Sequence, residues 1–138
     1  TEEALGIEVS DLDLKLRKLL LHGETTQSHA LHAYFLAVPD LLGAPSVIHL
    51  AESHPEPIKM ALRTKRFANE MCDVIGGRTT HPITTVPGGF TSYPAVDELL
   101  KIKNKILESI CHNLIEDRHL LYVGSMSLLK YYLIVHDY

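Results

Sequence analysis

The stretch "PAVDELLKIKNKILESICHNL", residues 94–114, decides the fold class. Its apolar residues recur every three or four positions, interrupted only by Lys103 on the same face: Val96, Leu99, Leu100, Ile106, Leu107, Ile110 and Leu114. This spacing places apolar side chains along one face of an α-helix. Pro94 suits a first helical position, because proline lacks the N–H that would be unpaired there. We therefore predict a long amphipathic helix from Pro94.

Two more blocks upstream have the same period. The first, from about Asp11 to Val38, follows a capping pair of Ser10 and Asp13. Gly23 interrupts this block and predicts a bend, and Pro39 predicts that the helix stops near Val38. A connector, residues 41–57, leads to the second block, Pro57 to Ile75, which ends at Gly76 and Gly77.

The second block has two apolar stripes, which predict a helix packed on more than one side. Ala61, Ala68, Cys72 and Ile75 form one stripe, and Met60, Phe67, Met71 and Val74 form the other. A shorter apolar block, from about Ser125 to Val135, fits either a helix or a strand. The fold class is therefore mostly α: long helices packed side by side in one domain, residues 1–138, with a short extended or turn segment near residues 78–93.

Composition argues against several kinds of partner. The formal net charge of -4 leaves no excess of lysine and arginine to neutralise phosphates, so we expect no nucleic-acid partner. Apolar runs are too short to cross a bilayer, so we expect no membrane association. The N-terminus has no secretion signal, and it does not begin with Met, so we expect a chain processed or cut from a longer one. Two cysteines, Cys72 and Cys111, fit reduced core thiols in a cytoplasmic protein.

Two pairs of residues are candidate metal ligands. His29 and His32 share a helix face and need a third ligand to hold a metal; the alternative is that one bonds a backbone carbonyl while the other is half exposed. Glu116 and His119 form the Glu-x-x-His pair of carboxylate di-metal bundles, which use two such pairs. Only one pair is present, so a charged, solvated helix end explains it better.

The stretch "HPITTVPGGF", residues 81–90, is dense in proline and glycine. It matches neither the Walker loop nor the dinucleotide-binding loop, so we expect no nucleotide site. A tight turn remains, in which Pro87 presets its φ angle and Gly88 or Gly89 takes a positive φ.

Two motifs, "QSHALHAYFLAVPDLLG" at residues 27–43 and "GGRTTHPITTVPGGFT" at residues 76–91, resemble the large subunit of nickel–iron hydrogenases. The resemblance is closest to the cytosolic, cofactor-reducing enzymes that use deazaflavin, viologen or nicotinamide, and it covers roughly residues 11–100. It implies that this chain is a central fragment of such a subunit, whose parent oxidises or evolves hydrogen and passes electrons to an iron–sulfur small subunit.

The resemblance also assigns residues. Ser28, His29, His32 and Arg78 are implied to lie in the shell around the nickel–iron centre. His81, Pro82, Gly88 and Gly89 are implied to lie at the small-subunit boundary, with His81 towards the proximal cluster. Ser28 stands where uptake-type members have Asp, which fits the cofactor-reducing branch.

One departure from the family bears on activity. The family holds nickel with thiolates from two CxxC motifs, and this chain contains neither. We therefore expect no metal ligands and no cofactor in this chain alone, and no activity, while the full-length parent holds the nickel–iron centre. We also expect the fragment to self-associate, since the two stripes of the second block lack their covering segments. The alternatives are a stand-alone helical interaction module without metal and a carboxylate di-metal bundle.

Overall fold

The computed structural model describes the backbone of residues 1–116 and the side chains of residues 1–108. Helices make up most of this part of the chain: α1 (Glu2–Leu5), α2 (Asp11–Ala30), a π-helix (Leu31–Ala37), α3 (Val38–Leu41), α4 (Val47–Ser53), α5 (Pro55–Gly76) and α6 (Val96–Glu116). Two short strands, β1 (Thr85–Val86) and β2 (Gly89–Phe90), form an antiparallel hairpin. The mostly α prediction is confirmed. The block at Ser125–Val135, His119 and the side chains of Cys111 and Glu116 lie outside the described part.

Helix α2 begins where the sequence predicted. The Ser10 hydroxyl accepts a hydrogen bond from the Asp13 N–H at 3.1 Å, as an N-cap residue does. Gly23 lies inside α2, which is continuous from Asp11 to Ala30. The glycine permits close packing, because a Cβ there would lie 2.9 Å from both Cys72 Sγ and Met71 Cε on α5.

The predicted stop at Val38 is wrong. Val38 has helical angles (φ -64°, ψ -42°), and the chain continues through Pro39 to Leu41 as α3. The π-helix that precedes Pro39 gives the physical reason. A proline has no N–H to donate and its ring clashes with the carbonyl four residues earlier, here on Phe35. A local π turn is one way in which a helix accommodates a proline and continues beyond it.

The connector is more ordered than predicted. It contains α4, whose Leu50 is buried against the π-helix and the first half of α5. Helix α5 starts at Pro55, two residues before the predicted Pro57, and Gly77 ends it with a left-handed φ of 79°.

Two apolar clusters lie on the two halves of α5. The second half packs against α2, α6 and Phe90 of the hairpin, and the first half packs against the π-helix and α4. Both predicted stripes of α5 are therefore covered by this chain itself: Ala61, Phe67, Ala68, Met71, Cys72 and Ile75 are all buried. The expectation that these stripes stand exposed in a fragment is wrong. Among the described residues, no helix is long and apolar enough to cross a membrane.

Candidate functional site

The extended segment between α5 and α6 is fixed to α5 at its start. Gly76 packs tightly, since a Cβ there would lie 3.0 Å from Pro82 Cβ. The Gly76 carbonyl accepts from the Ile83 N–H at 2.9 Å, and the buried Thr84 hydroxyl donates to the Ile75 carbonyl at 2.8 Å. These bonds satisfy carbonyls at the end of α5 that have no partner within the helix.

Burial alternates along residues 81–88. The odd-numbered residues are exposed and the even-numbered ones are buried or half-buried. We call the exposed set, His81, Ile83, Thr85 and Pro87, the outer face. The segment therefore has one face against the protein and one exposed face. Ile83, 61% exposed, is a large apolar side chain on that free face.

The turn between the two strands has the predicted form. Pro87 occupies its first central position, and Gly88 takes the positive φ, 89°. Gly89 has a different reason to be glycine: a Cβ there would lie 3.1 Å from Asp13 Oδ1 and 3.2 Å from the Tyr93 hydroxyl. Of the two glycines that the sequence left open for the positive φ angle, Gly88 is the one that adopts it.

An ion pair between the two N-terminal helices, α1 and α2, contacts the backbone of this turn. Arg17 on α2 and Glu2 on α1 form a two-pronged bond, with Nη1–Oε2 2.9 Å and Nη2–Oε1 2.7 Å. Glu2 Oε1 also accepts the Gly88 N–H at 2.7 Å, and Arg17 Nη2 also donates to the Val86 carbonyl at 2.9 Å. The Arg17 bond, followed by the Gly88 N–H, lowers the pKa of Glu2 to about 2.

A second polar group lies beneath the hairpin. The Asp13 carboxylate is buried and accepts from the Ser10 hydroxyl and from the Tyr93 hydroxyl, the latter at 2.9 Å. These two donors lower the pKa of Asp13, the Ser10 bond most. Sequence reasoning found Ser10 and Asp13 only as a helix cap and missed Glu2, Arg17 and Tyr93. Their partners are distant in sequence, and no local pattern signals such pairs.

His81 has an unusual backbone conformation. A following proline normally holds a residue in an extended conformation, yet His81, which precedes Pro82, has a φ of 56°, in the left-handed region that few non-glycine residues adopt. Arg78 explains how the conformation is held: its Nε donates to the His81 carbonyl at 2.6 Å. Both side chains are exposed, and the His81 imidazole lies on the outer face.

Ser28, His29 and His32 lie on the exposed surface at the end of α2 and the start of the π-helix. His29 Nδ1 donates to the Thr25 carbonyl at 2.8 Å, the backbone bond that the sequence offered as the alternative to metal binding. The Gln27 side chain donates to the Thr79 carbonyl at 3.2 Å. This bond ties the segment carrying Ser28 to the loop carrying Arg78.

The described side chains do not fit a nickel–iron centre. Such a centre needs several thiolates, and Cys72, the described cysteine, is buried in the core with its pKa raised to about 11 by that burial. Within residues 1–108, no three His, Cys, Asp or Glu side chains come together as a metal site. A nickel–iron centre therefore needs metal ligands from outside residues 1–108.

Several known proteins are similar to this chain in sequence. The alpha subunit of sulfhydrogenase 2 from Pyrococcus furiosus is 48% identical over 101 residues, which cover 73% of this chain and 24% of the relative. The alpha subunit of sulfhydrogenase 1 from the same organism is 33% identical over 109 residues, 79% of this chain and 26% of the relative. The chain is similar to hydrogenase subunits.

The fold is similar as well. A solved NAD⁺-reducing [NiFe]-hydrogenase in the H₂-reduced state matches 94% of this chain with a TM-score of 0.72 and 24% identity, over 28% of its own length. No protein-family model matches the chain. The chain thus spans about a quarter of the length of the relatives it matches.

Proposed function

We propose that this chain is a segment of the large subunit of a nickel–iron hydrogenase of the cytoplasmic, cofactor-reducing type. One observation carries the proposal: 48% identity over 101 residues to a sulfhydrogenase alpha subunit. The two motifs at residues 27–43 and 76–91 support it. In this proposal α2, α5 and α6 are part of the helical core of the large subunit.

The exposure of the motif residues also supports this assignment. Ser28, His29 and His32 are polar and exposed, while the helices behind them are packed. In a longer polypeptide this surface is available to line the metal site, which takes its thiolate ligands from segments outside this chain. When bound, the nickel–iron centre supplies the chemistry of hydrogen cleavage. This chain alone supplies no such ligand set, so we propose that by itself it is inactive.

The outer face is proposed to contact the iron–sulfur small subunit. Its backbone is fixed by Gly76, Thr84 and the Arg78–His81 bond, so it presents His81 and Ile83 in a defined arrangement. A preorganised surface loses little conformational freedom on binding. We propose that the His81 ring N–H supports electron transfer, because hydrogen bonds to cluster sulfurs tune the cluster's potential.

The test begins with the gene. The codons on both sides of this segment are read, and the complete large subunit is purified together with the products of its genomic neighbours. We expect two CxxC motifs in the same frame, stoichiometric nickel and hydrogen-dependent dye reduction. In-frame stop codons directly on both sides, with no nickel in the product, would instead favour a stand-alone helical module.

A further inference from the structure

We infer that Glu2 and Arg17 are positioning residues that set the shape of the Val86–Gly89 turn and thereby of the outer face. The inference rests on the proposed function, since it concerns the surface assigned there to the iron–sulfur partner. Neither residue belongs to the two motifs that resemble hydrogenases.

Both members of the ion pair contact the backbone of the turn directly. Glu2 Oε1 accepts the Gly88 N–H at 2.7 Å, while Arg17 Nη2 donates to the carbonyls of Val86 at 2.9 Å and Gly89 at 3.5 Å. One bidentate pair therefore contacts three residues of the turn. A guanidinium can do this because its donors form a fixed planar fork, whereas a lysine ammonium is a single point charge.

Among the described residues, the hairpin has little else to fix its tip. Each strand contains two residues, and a ladder that short is marginal by itself. Ile7 packs close to the tip, since a Cβ on Gly88 would lie 3.1 Å from Ile7 Cγ2. The Thr91 N–H bonds the Thr84 carbonyl at 2.7 Å, but that contact fixes the base of the hairpin. The ion pair is thus the polar anchor of the tip.

Partial burial strengthens the attraction between Glu2 and Arg17. The Glu2 and Arg17 side chains are 24% and 22% exposed, so both are shielded more than an ordinary surface pair. Lys59 and Glu56 on α5 offer the contrast: their side chains are 57% and 76% exposed and lie three residues apart on one helix. Glu56→Gln therefore removes a charge pair of similar length without touching the loop.

The first test uses the 138-residue chain and amide hydrogen exchange. Glu2→Gln and Arg17→Lys are compared with Glu56→Gln. A hydrogen bond to a charged acceptor is roughly twice as strong as one to a neutral acceptor, so replacing the Glu2 carboxylate by a neutral amide oxygen, or removing the Arg17 fork that orients it, should speed exchange of the Gly88 amide about tenfold. The amides of α5 around Met71 and Ile75 should keep their protection, which shows that the fold is intact. Glu56→Gln should leave the Gly88 amide unchanged.

The second test uses the complete large subunit with its iron–sulfur partner. Glu2→Gln and Arg17→Lys should weaken the binding of the two subunits about tenfold, in proportion to the loss of Gly88 protection, and excess partner should restore dye reduction. An unchanged Gly88 amide overturns the inference. So does faster Gly88 exchange with unchanged partner affinity, because the pair then shapes the turn without positioning a contact surface. If the wild-type protein binds no iron–sulfur partner, the proposed function fails, and the positioning role falls with it.

Discussion

His81 combines an unusual backbone conformation with an exposed, chemically versatile side chain. Its φ of 56° places it in the left-handed region, which histidine, asparagine and aspartate adopt several times more often than other non-glycine residues do. Its carbonyl is held by Arg78, and its ring is exposed. A strained backbone at an exposed imidazole is typical of functional positions. The two contributions can be separated by choosing the substitution.

His81→Asn and His81→Ala should differ in stability. Asparagine tolerates the left-handed region, so His81→Asn should leave the free energy of unfolding nearly unchanged. Alanine does not, and His81→Ala should lower it by about 1 kcal/mol. Urea denaturation followed by circular dichroism measures both. Equal destabilisation by the two variants would show that the ring, and not the backbone, carries the stability of this position.

Glu2 predicts a pH dependence. Its pKa in the folded chain is about 2, below the ordinary value of 4.5. A lowered carboxyl pKa means that Glu2 stabilises the fold fully above its unfolded pKa and loses this effect as the pH falls towards its folded pKa. The stability difference between wild type and Glu2→Gln should therefore be largest near pH ~6 and shrink towards pH ~3. A difference that stays constant over this range would contradict the bonded carboxylate.

At the scale of elements, the contact between α2 and α5 depends on Gly23. A side chain there has no room, because Cys72 Sγ and Met71 Cε both lie 2.9 Å from the position of a Cβ. The end of a methionine side chain can move, whereas Cys72 is short and fully buried. The helices therefore approach closely at this point.

Gly23→Ala should destabilise the chain although alanine favours helices by about 1 kcal/mol over glycine. Overpacking a dense core costs roughly 1–3 kcal/mol, so we expect a net loss of about 1 kcal/mol in unfolding free energy. The matched control is Cys72→Ala. Cys72→Ala removes the sulfur, so in that background Gly23→Ala should lower the free energy of unfolding by less than it does in the wild type. A double-mutant cycle measures this difference. Additive effects in the cycle would exclude a clash between residues 23 and 72.

The regular helices could be predicted from the sequence, since their signals are local. The helical period of the apolar residues, the Ser10–Asp13 cap and the glycines at the end of the second block placed the starts of α2, α5 and α6 and the end of α5 within a few residues. Helix α4 was missed because it is short, and much of its burial comes from Leu50 packing on other helices. The passage through Pro39 was missed because a π turn compensates for the proline.

The candidate site was less predictable than the fold. The turn at Pro87 and Gly88 follows from local residue chemistry, and its positive φ was expected. The bonds from Glu2 and Arg17 to that turn join residues far apart in the chain, so no spacing rule reveals them. The left-handed φ of His81 runs against the usual effect of a following proline and depends on the tertiary setting.

At the scale of the whole molecule, the described part leaves apolar surface uncovered. A groove of about 520 Å³ runs between the first half of α2 and α6, lined by Leu12, Leu16, Val96, Leu99 and Leu100. Val96 and Leu100 are 73% and 53% exposed. Exposed apolar side chains grouped in one groove favour contact with another apolar surface, because the contact removes them from water.

The isolated chain should therefore self-associate at high concentration, and Leu100→Glu should weaken that association by placing a charge in the groove. Leu41→Glu is the matched control, since Leu41 is 80% exposed but lies on α3, outside the groove. Sedimentation velocity over a concentration series measures the effect. A wild-type chain that stays monomeric throughout would contradict this use of the groove.

The central claim is that the outer face serves electron transfer to an iron–sulfur partner, and His81→Asn in the complete enzyme tests it most directly. Nickel content and the stability of the complex are first shown to be unchanged. Hydrogen–deuterium exchange, which needs the metal site alone, is then compared with hydrogen-dependent dye reduction, which also needs the partner's clusters. We predict that exchange persists while dye reduction falls. Equal loss of both activities, or no loss of either, would contradict the claim.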